Sequence, residues 1–141
     1  MALTSEATTV WTGDLMKGSG VVTLDSSSAG SFPVNWKARA EGAKNTTNPE
    51  ELLGAAHASC FSMALANILA TAGHSPDSIQ TTAAVTFVPG TGVTGSHLLV
   101  SARVPGVTEE EFEAFAQDAK LNCPISQALA GISITIEAEL A

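Results

Sequence analysis

The central segment reads Asn48-Pro-Glu-Glu-Leu-Leu-Gly-Ala-Ala-His-Ala-Ser-Cys60, and it predicts a long helix against which other elements are expected to pack. Asn48 is a good N-cap residue, Pro49 suits the first helical position, and the two acids that follow complement the helix dipole. Gly73 is expected to end the helix. Alanines recur on nearly every side, so other elements must pack closely all round it. One chain of 141 residues has little material for this, which indicates a dimer whose long helices share a core.

Strand-like segments precede the helix. Thr8–Thr12 and Gly20–Leu24 are β-prone and are followed by turn residues. Phe32–Ala40 alternates between apolar and polar side chains, which predicts a third strand with Arg39 on its polar face. The region before the helix is therefore expected to form a small sheet.

Strands and helices also follow the central helix. A glycine-rich turn joins two β-prone segments, a capping box begins a further helix, and a last segment alternates cleanly. We therefore predict a single α+β domain over residues 1–141: three strands, a long helix, two strands, two helices and a closing strand. The elements after the central helix are predicted at Thr81–Val88, Ser96–Val104, Thr108–Leu121, Pro124–Ala130 and Ile132–Leu140.

The charge balance excludes several classes of partner. Six Lys and Arg residues against 14 Asp and Glu give a net charge of -8, which argues against nucleic acid and anionic membranes, since both select for basic patches. The sequence shows no signal-peptide pattern, and polar residues interrupt its longest apolar segment, Leu52–Ala72, which favours a buried helix over a membrane span. We expect a cytoplasmic protein, whose reducing surroundings favour a transient catalytic disulfide over a permanent structural one.

The two cysteines are the chief candidates for chemistry. Cys60 lies in the middle of the predicted helix, and Cys123 opens the motif Cys-Pro-Ile-Ser-Gln, a second helix start. If the fold brings them together, they form a peroxidatic and resolving pair; if it does not, they are two small core residues. Dipole reasoning alone favours Cys123 as the attacking thiol, because a helix N-terminus stabilises a thiolate.

A mid-helix thiol becomes a nucleophile only if a cation reaches it. Arg39 is the natural candidate for Cys60, because it comes just before the loop and helix that carry that thiol. Glu50 and Glu51 either stabilise the first turn of the helix or hold this arginine. Glu50 and Cys60 are roughly 15 Å apart along one straight helix, so either Arg39 bridges part of the gap or the glutamate serves another chain's cysteine.

His57 lies three residues before Cys60 and faces the same way. With Cys123 and a further histidine it could bind zinc, and it could also be a general base or a buried, hydrogen-bonded histidine. The sequence contains no phosphate-binding loop, no GxSxG motif and no paired-carboxylate signature. The three interpretations of His57, as a zinc ligand, a general base or a buried histidine, remain open.

Taken together, the motifs resemble the OsmC/Ohr family of peroxide-detoxifying proteins, and more closely its osmotically inducible OsmC branch. The resemblance covers essentially the whole chain, and its central block is highly specific. The matching stretches are Trp11-Thr-Gly-Asp14, Lys17-Gly-Ser-Gly20, Arg39-Ala-Glu-Gly42, Asn48 through Leu65, and Asn122-Cys-Pro-Ile-Ser-Gln127.

The resemblance implies a thiol-dependent peroxidase that reduces organic hydroperoxides, with no cofactor and no metal. Cys60 would be the peroxidatic thiol, Cys123 the resolving thiol, Arg39 the cation at the thiolate, and Glu50 the acid that pairs with it. The family fold implies antiparallel sheets wrapped around long central helices in an intertwined homodimer, with active sites at the subunit interface. A dithiol reductant would reset the enzyme.

The resemblance also leads us to expect an apolar substrate pocket lined by residues such as Phe61, Met63 or Leu53. Two alternatives remain beside the enzyme. One is a redox sensor or ligand-binding protein that reports peroxide without sustained turnover, and the other is a dimeric structural protein with buried thiols.

Overall fold

The computed structural model describes all 141 residues and has a mixed α+β fold with two three-stranded sheets. The predicted order of elements is confirmed, with one short helix added before the long one. Two compact units, Met1–Leu52 and Leu53–Ala141, can be distinguished, and the prediction of a single domain stays a prediction. The elements are β1 (Ala7–Thr12), β2 (Ser19–Leu24), β3 (Ser31–Val34), α1 (Trp36–Ala40), α2 (Pro49–Thr71), β4 (Ser78–Val88), β5 (Gly92–Arg103), α3 (Glu109–Asn122), α4 (Pro124–Ala128) and β6 (Ser133–Leu140).

The N-terminal sheet is an antiparallel meander in the order β1-β2-β3. Gly20 lies opposite Trp11 in β1 and Val34 in β3. A Cβ atom built on Gly20 would come within 2.9 Å of the Trp11 ring and 3.1 Å of a Val34 methyl group. Glycine at this position therefore lets two large side chains close over one face of the sheet.

The predicted third strand over Phe32–Ala40 is wrong in its second half. β3 ends at Val34, and Asn35 caps helix α1, with its Oδ1 accepting a hydrogen bond from the Ala38 N–H at 2.8 Å. An N-cap followed by the good helix formers Lys, Ala and Arg outweighs an alternation that spans only a few residues. Arg39 is consequently on a helix and not on the polar face of a strand.

The long helix α2 begins and ends where the sequence predicted. Asn48 accepts a hydrogen bond from the Glu51 N–H at 2.8 Å and donates its amide to the Ala38 carbonyl at 3.1 Å, so it also ties α2 to α1. At the other end Gly73 adopts φ +88°, a conformation that favours glycine and ends the helix. By length and composition alone α2 could cross a bilayer, as core helices of soluble proteins also can.

The second sheet has the order β4-β5-β6 and is not wholly antiparallel, contrary to the expected fold. β4 and β5 form an antiparallel hairpin, whereas β6 runs parallel to β5. A parallel neighbour needs a long crossover, which α3 and α4 supply. The hairpin is also longer than predicted, because β5 begins at Gly92 within the glycine-rich segment.

The core of the C-terminal unit lies between α2, the second sheet and α3. Burying a side chain such as Phe61 or Leu65 contributes about 1.5–3 kcal/mol. The opposite side of α2 is open: Ala55, Ser59 and Met63 are exposed, so a single chain covers only part of this helix. The core consists of Phe61, Leu65, Leu69, Leu98, Val100, Ala102, Val104, Phe112, Ala116, Ala119 and Cys123.

Candidate functional site

The fold brings the two thiols into contact. Cys60 is half-buried on α2, and Cys123 is completely buried at the N-cap of α4, where it belongs to the core against which Cys60 packs. The Cys123 side chain is close enough to Cys60 to act on the pKa of its thiol, and both cysteines are in the free thiol form. Two cysteines that are distant in sequence are therefore neighbours in the fold, and their roles in catalysis stay a prediction.

Burial and two neighbouring residues act on the Cys60 thiol. Burial raises the pKa of Cys60, a hydrogen bond from the Ile125 backbone N–H lowers it, and the adjacent Cys123 thiol raises it again, so that the balance is upward. Ile125 lies in the first turn of α4. The N-terminus of α4 thus favours the Cys60 thiolate. The helix-dipole argument from the sequence predicts instead that it favours a thiolate at Cys123.

The N-terminal unit holds Arg39 in an ion pair. Its Nε and Nη2 both donate to Oε1 of Glu50, at 3.0 and 2.8 Å, and Glu50 is 6% exposed. Glu51 instead accepts a hydrogen bond from the Thr47 hydroxyl. Of the two first-turn acids, Glu50 therefore holds the arginine, and its second carboxylate oxygen, Oε2, is buried with no hydrogen-bond partner.

A cavity of about 320 Å³ adjoins Arg39 within the same unit. Its wall is mostly apolar and includes Trp11, Leu15, Trp36 and Leu52. The predicted pocket residues do not form it: Phe61 is a core residue with no exposed surface, and Met63 is 71% exposed on the open side of α2. No sequence pattern indicated this cavity, because its wall combines a sheet face with α1 and the first turn of α2.

His57 proves to be a buried, hydrogen-bonded histidine. Its Nδ1 lies 2.7 Å from the hydroxyl of Ser96 on β5, and its Nε2 lies 2.8 Å from the hydroxyl of Ser126 on α4. Burial lowers the pKa of His57 below its usual value, which favours the neutral ring. Both ring nitrogens are engaged by hydroxyls, and no His, Cys, Asp and Glu side chains gather into a group that could hold a metal.

The four residues implied by the resemblance thus form two pairs, Arg39 with Glu50 and Cys60 with Cys123. Sequence reasoning missed Ser96 and Ser126, which lie 39 and 69 residues from His57 and carry no motif that would pair them with it. Only the three-dimensional fold places these hydroxyls on either side of the ring.

Comparisons with known proteins all find OsmC-like or organic hydroperoxide resistance proteins. A family described as OsmC-like protein matches residues 42–138. The chain is 43% identical over 133 residues to peroxiredoxin OsmC of Escherichia coli (strain K12), with 92% of each chain covered. It is 34% identical over 102 residues to organic hydroperoxide resistance protein OhrA of Bacillus subtilis (strain 168), covering 70% of this chain and 72% of the relative.

Solved structures show the same fold. An organic hydroperoxide resistance protein from Elizabethkingia anophelis superposes with a TM-score of 0.74 at 28% identity, with 100% of this chain and 99% of that one covered. The organic hydroperoxide resistance protein OhrB of Bacillus subtilis superposes with a TM-score of 0.69 at 25% identity, with 99% and 98% covered.

Proposed function

The chain belongs to the OsmC-like protein family, and we propose that it is a thiol-dependent peroxidase that reduces organic hydroperoxides to alcohols. Relatives named peroxiredoxin and organic hydroperoxide resistance protein support a peroxide-detoxifying redox function. The observation that carries the proposal is the contact between the Cys60 and Cys123 thiols, because a two-cysteine peroxidase needs its second thiol within reach of the first.

In the first step the Cys60 thiolate attacks the distal oxygen of the hydroperoxide. An S–O bond forms, the O–O bond breaks, and the alkoxide leaves and takes up a proton to become the alcohol. Burial and Cys123 raise the pKa of Cys60, and the Ile125 N–H does not offset them. A cation is therefore needed to stabilise the Cys60 thiolate. Arg39 is our candidate, because a guanidinium can donate charge-assisted hydrogen bonds to both the thiolate and the developing alkoxide.

In the second step the Cys60 sulfenic acid condenses with the Cys123 thiol. The S–S bond forms and the hydroxyl group leaves as water, carrying the proton of the thiol. A dithiol reductant then reduces the disulfide and returns both thiols. The proximity of the two side chains supports this pairing, because the thiols are neighbours before any oxidation occurs.

We further propose that the protein acts as a homodimer with active sites at the subunit interface. Glu50 and Cys60 lie on one helix at positions about 15 Å apart along its axis, which is too far for a compact site. The buried Oε2 of Glu50 lacks a donor, and one side of α2 lacks a cover. A second chain that supplies the missing contacts would account for all three observations.

The cavity beside Arg39 indicates the kind of peroxide. Its apolar wall offers no hydration to a small polar molecule such as hydrogen peroxide, but it can bury an alkyl or aryl group next to the guanidinium. Alkyl and aryl hydroperoxides are therefore the expected substrate class.

The test is steady-state consumption of cumene hydroperoxide with dithiothreitol as reductant. We expect Cys60→Ser to lose at least about a hundredfold in rate, because the nucleophile is gone. The matched control is Ser62→Ala, on the same helix, which should keep the native rate. If Cys60→Ser consumes peroxide as fast as the native chain, the catalytic assignment is wrong; a single oxidation of the native thiols without turnover would instead indicate a redox sensor.

A further inference from the structure

We propose that His57 is a positioning residue for the resolving thiol: it holds the first turn of α4 against α2 so that Cys123 stays within reach of Cys60. This inference rests on the peroxidase function proposed above and names a residue that sets the rate of its second step. The proposal is carried by the two hydrogen bonds of the His57 ring and by the elements that those bonds join.

The His57 ring joins three elements at a fully buried position. It belongs to α2, its Nδ1 contacts the Ser96 hydroxyl on β5 at 2.7 Å, and its Nε2 contacts the Ser126 hydroxyl on α4 at 2.8 Å. Ser96 and Ser126 are 1% and 6% exposed, so water does not compete for these bonds. Buried polar groups that satisfy one another in this way fix the relative position of their elements.

The hydrogen bond to Ser126 lies beside the thiol contact. His57 precedes Cys60 by three residues on α2, and residues at this spacing share one face of a helix. Ser126 follows Cys123 by three residues, within the first turn of α4. The same two helices are therefore joined twice within one turn, once by the thiols and once by the histidine and serine.

α4 depends on contacts with other elements because it is too short to be stable by itself. It has five residues, far fewer than an isolated helix needs, and its N-cap, Cys123, makes no side-chain capping bond. When Cys60 is oxidised, the thiol contact is lost as the sulfenic acid forms, whereas the bond from His57 to Ser126 is unaffected. That bond then keeps Cys123 close enough to attack.

The main consequence concerns the second step. Removing the Ser126 hydroxyl should slow the attack of Cys60 on peroxide less than it slows disulfide formation, because neither serine hydroxyl is a partner of the Cys60 thiol, whereas the neighbouring Ile125 N–H is. Disulfide formation should slow by about tenfold, since an ångström of misplacement can cost more than that in rate. Sulfenic acid should accumulate in Ser126→Ala and not in the native chain.

The experiment mixes each reduced protein with one equivalent of cumene hydroperoxide and quenches with dimedone or acid at set times. Intact mass separates the dimedone adduct of the sulfenic acid from the disulfide, which has lost two hydrogens. Ser62→Ala is the matched control, because its hydroxyl bonds Thr81 on β4 at 2.8 Å and does not reach α4. Thermal unfolding checks that each variant is folded.

A second pair of variants tests the ring itself. His57→Gln keeps a donor and an acceptor and should retain at least about a third of the native rate of disulfide formation, whereas His57→Leu, which keeps neither, should lose about tenfold. Equal rates for the two variants would overturn the proposal. So would native disulfide formation in folded Ser126→Ala, or an equal slowing in Ser62→Ala.

A separate arm distinguishes failure of this inference from failure of the proposed function. Diamide oxidises a thiol pair to a disulfide without peroxide, so the closing rate can be compared between native protein and Ser126→Ala even if neither reacts with cumene hydroperoxide. A tenfold difference with diamide supports the positioning role, and equal rates contradict it. Lack of reaction of the native chain with peroxide would refute the peroxidase alone.

Discussion

At the scale of single residues, the reactivity of Cys60 depends on groups other than itself. Burial and the Cys123 thiol disfavour the thiolate, and a single backbone N–H from Ile125 favours it. Arg39 is held by two hydrogen bonds to one oxygen of Glu50, which fix the position of its guanidinium. The proposed chemistry therefore depends on Arg39 as much as on the thiol.

We predict that Arg39→Ala raises the pKa of the Cys60 thiol, because a nearby cation favours the charged form. The measurement is the rate of alkylation by iodoacetamide against pH in a Cys123→Ser background, where Cys60 is the single thiol. Arg103→Ala is the control, since Arg103 is the other arginine of the chain and is exposed on β5. An unchanged profile in Arg39→Ala would remove this residue from the site.

At the scale of elements, α2 is seated directly on the second sheet. Gly54 faces the backbone of β4, and a Cβ atom built there would lie 2.8 Å from the Ala83 carbonyl oxygen. Backbone cannot move aside as a flexible side chain can. The close approach of α2 and β4 at position 54 therefore requires glycine. It also sets the position of Cys60, less than two turns further along α2, relative to α4.

We predict that Gly54→Ala destabilises the protein by about 1–3 kcal/mol, the usual range for overpacking, although alanine is the better helix former. Chemical denaturation in urea measures the change. Gly131→Ala is the matched control, because no atom lies within 4 Å of a Cβ built there. A Gly54→Ala variant as stable as the native chain would show that α2 can move away from the sheet without loss of unfolding free energy.

Elements defined by local chemistry were predictable from the sequence, and those defined by distant partners were not. The cap at Asn48, the stop at Gly73 and the capping box from Thr108 to Glu111 involve residues close in sequence, and each was predicted. The parallel pairing of β6 and the serines around His57 depend on contacts across the fold. The same limit applies to the thiol pair, whose partnership came from family resemblance and not from spacing.

At the scale of the whole molecule, the open side of α2 is suited to close packing against another helix. Ala55, Ser59 and Met63 recur there at intervals of four residues and are exposed. The Ser59 hydroxyl donates to the Ala55 carbonyl at 2.7 Å, so its only hydrogen-bond donor is already used within the helix. What remains is a surface of small and apolar groups that water solvates poorly, as the homodimer proposal requires.

We predict that the native chain sediments as a dimer and that Met63→Glu weakens the dimer at least a hundredfold, about 2.7 kcal/mol, because a carboxylate would lose its hydration against an apolar surface. Analytical ultracentrifugation over a range of protein concentrations measures the change. Leu121→Glu is the matched control: Leu121 is 70% exposed on α3, against 71% for Met63 on α2, and its replacement should leave the dimer intact.

Because the active site is proposed to need both chains, cumene hydroperoxide turnover by Met63→Glu should rise more steeply than linearly with protein concentration, while turnover by Leu121→Glu should rise linearly. A monomeric native chain with full activity would contradict both the dimer and the shared site, and an active, dimeric Met63→Glu would place the subunit contact elsewhere than on this side of α2.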